Sequence, residues 1–206
     1  MEKWFRCFSE VPGIGYKSNP HVNRSQLSYH NAVPQVRSNE MVNGQQEYVL
    51  WPMISGGSGS TSASPVKQWI TQPRKGETVA QTRLRQLYES LELPGELMDY
   101  HFAILGCSSV LWRCRREEPW VLVEIEQLCW LDIRLVQAYP TLAIVNNERG
   151  FFRITTFEHL IHLYEQEGYL FDALQVAEIA VKFNQQMPAL ERIKSRIANL
   201  EAERSS

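Results

Sequence analysis

A chain of 206 residues that is 44% hydrophobic, with six Trp, eight Tyr and eight Phe, can bury a sizeable core and is too aromatic for a disordered polymer. Its formal net charge is −2, divided as +1 over residues 1–65 and −3 over the remainder. Neither part supplies the concentrated basic field that nonspecific binding to nucleic acid or a membrane surface requires.

The first residues, MEKWFRCFSEVPGIG, lack the apolar run of a signal peptide, and no stretch has the length and uninterrupted apolar character of a membrane span. The four cysteines, at 7, 107, 114 and 129, are scattered without a CxxC pair. That distribution predicts reduced thiols in a cytoplasmic protein, without a disulfide framework.

Residues 1–53 are rich in Asn, Ser, Pro, Gly and aromatics. GIGYKSNPHVN and HNAVPQVRSNE combine turn formers with residues that a following proline restricts, which predicts extended, irregular structure. Within this segment only EYVLWPMI, from Glu47 to Ile54, reads as a strand, with Pro52 at a sheet edge. The composition then shifts at ISGGSGSTSASP, residues 54–65, whose Gly and Ser provide few side chains to bury and predict a flexible linker.

Residues 66–206 read as a helical domain. Leu84, Leu87, Tyr88 and Leu91 form an i, i+3, i+4, i+7 stripe that Pro94 ends. A second helix is expected from Glu96 to Arg116, where Arg113, Arg115 and Arg116 face the negative end of its dipole. A third runs to Ala138, with Pro119 suited to its first turn, and is apolar on most sides. After a connection with a turn at Asn146–Gly150, Thr155 and Glu158 have the spacing of a capping box. Two helices of a hairpin follow, and Pro188 opens a last helix carrying Leu190, Ile193, Ile197 and Leu200. The expected fold class is therefore mainly α: a helical-hairpin array of about six helices with an irregular, partly extended N-terminal segment.

The hairpin holds the most specific pattern. Phe157, Leu160, Tyr164, Gly168, Ala173, Ala177 and Ala180 together resemble one tetratricopeptide repeat, spanning about residues 154–187. Glycine suits the end of the first helix, and alanines allow the second to approach closely. Ile161 stands where that family has a small residue, and its closing proline would fall near Gln185, whereas this chain has Pro188. The resemblance implies a surface that holds a protein partner, and one repeat requires neighbouring helices to complete the stack.

Candidate chemistry is sparse. His159 and His162 lie three apart beside Glu158, without the i, i+4 pair of the HExxH zinc motif, and read as solvent-facing or groove-lining side chains. Cys107 and Cys114 are two helical turns apart, too far to chelate one ion unaided. Asp132 interrupts the most apolar helix, where an unpaired carboxylate is costly, and an arginine of the preceding helix or His101 is its expected partner. With Asp99 and His101 it defines a possible acid–base pocket. The N-terminal segment gathers Lys17, His21, Arg24, Tyr29 and His30, a polar and aromatic mixture suited to a ligand or single-stranded nucleic acid.

The leading expectation is a non-catalytic cytoplasmic protein-binding or scaffold protein that uses His159, His162, Glu165 and Gln166 on a repeat-like surface, with no metal or cofactor. A nucleic-acid-associated regulator using Lys17, His21, Arg24, Tyr29 and His30, and an enzyme built around His101 and Asp132, are the alternatives. No membrane partner is expected, and the sequence leaves the oligomeric state open.

Overall fold

A computed structural model describes residues 4–39, 46–53, 56–59, 63–69, 71–145, 150–151 and 153–204. The fold is mainly α with small antiparallel sheets, as the periodicity predicts. It divides into two compact units, 1–107 and 108–206.

In the first unit the N-terminal segment has more regular structure than its turn-rich composition suggests. Strand β1 (Trp4–Phe5) is followed by short 3-10 turns, then by β2 (Gln35–Asn39), β3 (Gln46–Pro52) and β4 (Ser58–Gly59). The last three form an antiparallel sheet in the order β2-β3-β4, with Arg37 opposite Tyr48 and Trp51 opposite Gly59. Trp51 and Val49 lie on the buried side of β3 and pack with Ala63, while Trp4 meets Trp51 edge-on at 6.3 Å. Pro52 closes the central strand and lies opposite Ser58. The expected linker at 54–65 is described only in part. Its Ser58 and Gly59 pair with β3, and Ala63, Ser64 and Pro65 are buried.

Helices α1 (Pro65–Gln68) and α2 (Val79–Leu91) come next. Thr78 and Gln81 cap α2 reciprocally, each side chain accepting the other's backbone N–H, which satisfies two amides that the first turn leaves open. The short strand β5 (Gly95–Glu96) pairs with β1 and leads directly into α3 (Leu97–Cys114). Phe8, Val11, Ile14 and Leu27 are buried, and the ring of Phe8 lies 5.0 Å from that of Tyr100 on α3. Aromatic packing thus helps to hold the irregular segment.

The second unit contains the end of α3 and helices α4 (Val121–Ala138), α5 (Thr155–Glu167), α6 (Leu170–Val181) and α7 (Met187–Arg204). A two-residue pairing of β6 (Ile144–Val145) with β7 (Gly150–Phe151) lies between α4 and α5. The turn expected at Asn146–Gly150 lies, apart from Gly150, outside the described residues. Pro119 precedes α4 instead of occupying its first turn: Val121 and Leu122 donate to the carbonyls of Glu118 and Pro119 in the turn ahead of it.

Helices α4 to α7 pack each against the next. Phe157, Leu160 and Tyr164 are buried on α5, and Ala173, Ala177 and Ala180 are fully buried on α6. Gly168 ends α5 in the left-handed region at φ 84°, where its N–H and that of Tyr169 both reach the Tyr164 carbonyl. An L side chain is strained in that conformation, so glycine is the residue that ends this helix most easily.

The expected Thr155–Glu158 capping box does not form. Ile154 is the N-cap, and Glu158 turns outward to Arg153 at 2.5 Å. The amide of Ile154 is instead satisfied from a distance, donating to Gln185 Oε1 at 2.8 Å. Gln185 also donates its own N–H to Ala180 O at 3.1 Å. Proline has no N–H, which gives a physical reason for its displacement from 185 to 188 in this chain.

Candidate functional site

The edge of α5 that carries the predicted histidines runs beside the last two turns of α3. Ser109 and Thr155 bring their hydroxyls to 3.5 Å at one end. One turn further along each helix, the ring of Trp112 stacks on His159 with centroids 4.9 Å apart and planes 17° from parallel. His162 lies 6.3 Å from the same indole, at 20°. The Arg115 guanidinium sits 4.0 Å from the Trp112 centroid, and its Nη1 donates to the Trp112 carbonyl at 2.6 Å. A cation over an indole face is attracted by the negative ring quadrupole, which holds both side chains in place.

The two histidines take different roles. His162 is exposed, as expected. His159 is not: only 8% of its surface remains accessible, and its Nδ1 has no hydrogen-bond partner among the described residues. Burial pushes its pKa down from 6.5 to about 4; Glu158 opposes the shift, while His162, Arg115 and Arg153 add to it. His159 is therefore neutral near pH 7 and serves as a flat packing partner. The misassignment has a simple cause. His159 lies off the Phe157–Leu160–Tyr164 stripe, but a helix of the preceding region covers that side as well.

Glu165 is also less open than its sequence position suggests. Its carboxylate takes a two-pronged bond from Arg192 on α7, at 2.7 and 3.1 Å. Gln166 is exposed. Along this edge Glu158 is thus tied to Arg153 and Glu165 to Arg192, with exposed His162 and half-buried Trp112 between them. Trp112 and Arg115 were missed as site residues. The signal was local: an aromatic three positions before an arginine in a run of cations, WRCRRE, near a helix end.

The remaining predicted residues separate into different settings. In the N-terminal segment Lys17 and His21 are exposed. Arg24 donates to the Arg6 carbonyl, Tyr29 to the Met53 carbonyl, and His30 Nδ1 lies 2.9 Å from Leu27 O. Three of the five side chains that suggested nucleic-acid contact are thus engaged in holding the segment's own backbone.

Asp99, in the first unit, accepts from Ser64 Oγ at 2.5 Å and lies 4.0 Å from Lys67 Nζ. His101 is fully buried beside the ring of Phe102. Asp132, in the second unit, is also fully buried, and its Oδ2 accepts from Thr156 Oγ1 at 2.8 Å. A hydroxyl of α5 therefore meets this carboxylate. Another polar bridge joins α4 to α5: Trp130 Nε1 donates to Tyr164 Oη at 2.9 Å, and Tyr164 donates to Glu126 Oε1 at 2.6 Å. Burial, reinforced by Glu126, pushes the Tyr164 hydroxyl up to about 12.

Cys7, Cys107 and Cys129 are buried free thiols, and Cys114 is a half-buried one. Among the described residues no group of three or more His, Cys, Asp or Glu side chains gathers as a metal site would need. Among them, too, no helix is long and apolar enough to cross a membrane. No protein-family model matches the chain, and neither a curated protein nor a solved structure matches it.

Proposed function

We propose that this chain is a non-catalytic, cytoplasmic protein-binding or scaffold protein, and that its second unit is a repeat-like helical array built around a tetratricopeptide-like hairpin. The supporting pattern is the burial of Phe157, Leu160 and Tyr164, the left-handed Gly168 and the alanine seam of α6. The single observation that carries the binding role is the Trp112–Arg115–His159 stack beside exposed His162. Tryptophan and arginine dominate the energetics of protein interfaces, because a rigid aromatic with a fixed cation offers large contact area at low entropic cost. Arg113 and Arg116 flank it, both exposed. The partner is a protein presenting acidic side chains next to an apolar group. Free thiols throughout suit a reducing compartment.

The test is affinity capture from native lysate with nucleic acid retained in the eluate, comparing the parent with His162→Ala/Arg116→Glu. Both positions are exposed, so thermal melting should be unchanged. A protein recovered by the parent and lost by the variant supports the reading. Equal recovery rejects this surface, and recovery of nucleic acid by a salt-sensitive route moves the function to the other class.

A further inference from the structure

The first unit holds a cleft of about 330 Å3 bounded by α1, α2 and the first three turns of α3. That volume falls in the range of small-molecule sites. Val66 and Leu87 form buried parts of its wall, and Phe102 leaves 44% of its surface in water at the same place. Gly106 contributes bare backbone. Glycine weakens a helix interior, and a Cβ placed on Gly106 would meet nothing within 4 Å. Packing does not demand glycine there; its effect is to keep that wall of the cleft open.

The polar groups of the lining divide by what already engages them. Trp69 Nε1 donates to Glu89, the Gln86 amide to Thr71 O, and Ser90 Oγ to Leu87 O. The Asp99 carboxylate is compensated from within, by the Ser64 hydroxyl, the Glu96 amide at 3.4 Å and Lys67 at 4.0 Å. The charges left facing solvent are cationic. Lys67 keeps 54% of its side chain exposed, and Arg83 is exposed, its Nη1 donating to Gln86 Oε1. An apolar wall beneath two cations fits one ligand chemistry.

We propose that this cleft binds a small amphipathic carboxylate, its aromatic or short aliphatic body against Val66, Leu87 and Phe102 and its anionic group at Lys67 and Arg83. Burying the body supplies the affinity, and the two cations select for the anion.

Titration of the full chain with naphthylacetate, followed by Trp fluorescence and calorimetry, tests the assignment. Saturable one-to-one binding is expected, with the neutral amide of the same probe weaker by about tenfold. Lys67→Ala/Arg83→Ala should remove the difference between acid and amide. Gly106→Ile should abolish binding of both without lowering the melting temperature, and Phe102→Ala, on an exposed side chain, should weaken both. Absence of saturable binding overturns the proposal. Equal affinity for acid and amide in the parent overturns its charge assignment. Binding that survives both Gly106→Ile and Phe102→Ala places the probe elsewhere and overturns the site.

Discussion

The indole of Trp112 and the imidazole of His159 lie 4.9 Å apart and nearly parallel, so that a titratable ring is held against an aromatic face and away from water. The neutral imidazole suits this position, because protonation would place a charge where solvent cannot reach it.

The consequence is a pH dependence of stability. As pH falls, the unfolded chain takes up a proton near the ordinary value of 6.5, whereas folded His159 resists until about 4. Its contribution is fully present above 6.5 and is lost between 6.5 and 4. The amount is on the order of 3 kcal/mol. His159→Phe retains the stack and should flatten the unfolding free energy over that interval in urea titrations at several pH values. An unaltered profile would show that His159 is hydrated in the folded protein.

A second acid-sensitive element lies in the first unit. Arg85 binds Glu77 at 2.6 Å and Glu89 at 3.2 Å, and also donates to Thr71 Oγ1 and Gln72 O, pinning the loop before α2 onto the helix. The bond from Arg85 holds Glu77 down at about 2, so this contribution is present above the ordinary 4.5 and disappears as pH falls toward 2. Glu77→Gln should remove that part of the acid transition. Arg85→Met leaves buried Glu89 without its main partner and should cost about 3 kcal/mol. Adding Glu89→Gln should recover part of it, and no recovery would argue against this pairing.

Gly95 is constrained by contact. A Cβ there would fall 2.5 Å from Val66 Cγ2 and 3.3 Å from Tyr100 Cζ. Gly95→Ala should destabilise by about 1–3 kcal/mol, and Val66→Ala in the same chain should relieve much of the cost. Thermal melts of the two single variants and the double variant check this coupling.

Gly168 is constrained by conformation instead, since no atom lies near its missing Cβ. Gly168→Ala should cost about 1–2 kcal/mol through the left-handed backbone alone. Gly168→Val should cost more, because β-branching narrows the accessible backbone further. Ala177→Leu should cost about 1–3 kcal/mol by overpacking a seam with no exposed surface. A melting temperature equal to the parent's would show, for Gly168→Val, that the left-handed stop bears no strain and, for Ala177→Leu, that the α5–α6 contact is not tight.

Helix positions in residues 79–204 were legible because their determinants are local: apolar spacing, a glycine stop, prolines at the breaks. Caps are decided less locally. Thr155 and Glu158 have the right spacing for a box, yet Glu158 reaches Arg153, while the box that forms is at Thr78 and Gln81. Each turns on a competition among nearby donors that spacing alone does not resolve. The N-terminal segment is partly extended, as its composition predicts, and its expected strand at Glu47–Ile54 overlaps β3. The partners of its strands, β2 for β3 and Gly95 for Phe5, lie elsewhere in the chain, and local propensity does not name them.

By itself the sequence determined a mainly α chain with an alanine-lined hairpin, since helix periodicity and a left-handed stop are properties of neighbours along the backbone. Only the tertiary structure decided which polar groups are exposed and which are engaged. It set His159 against Trp112, gave Glu165 to Arg192 and Asp132 to Thr156, and anchored the Asn19 amide on Glu92, 73 positions away. Such pairings arise when packing brings distant side chains out of water together. Each buried group must then find a partner among whatever the fold has placed beside it.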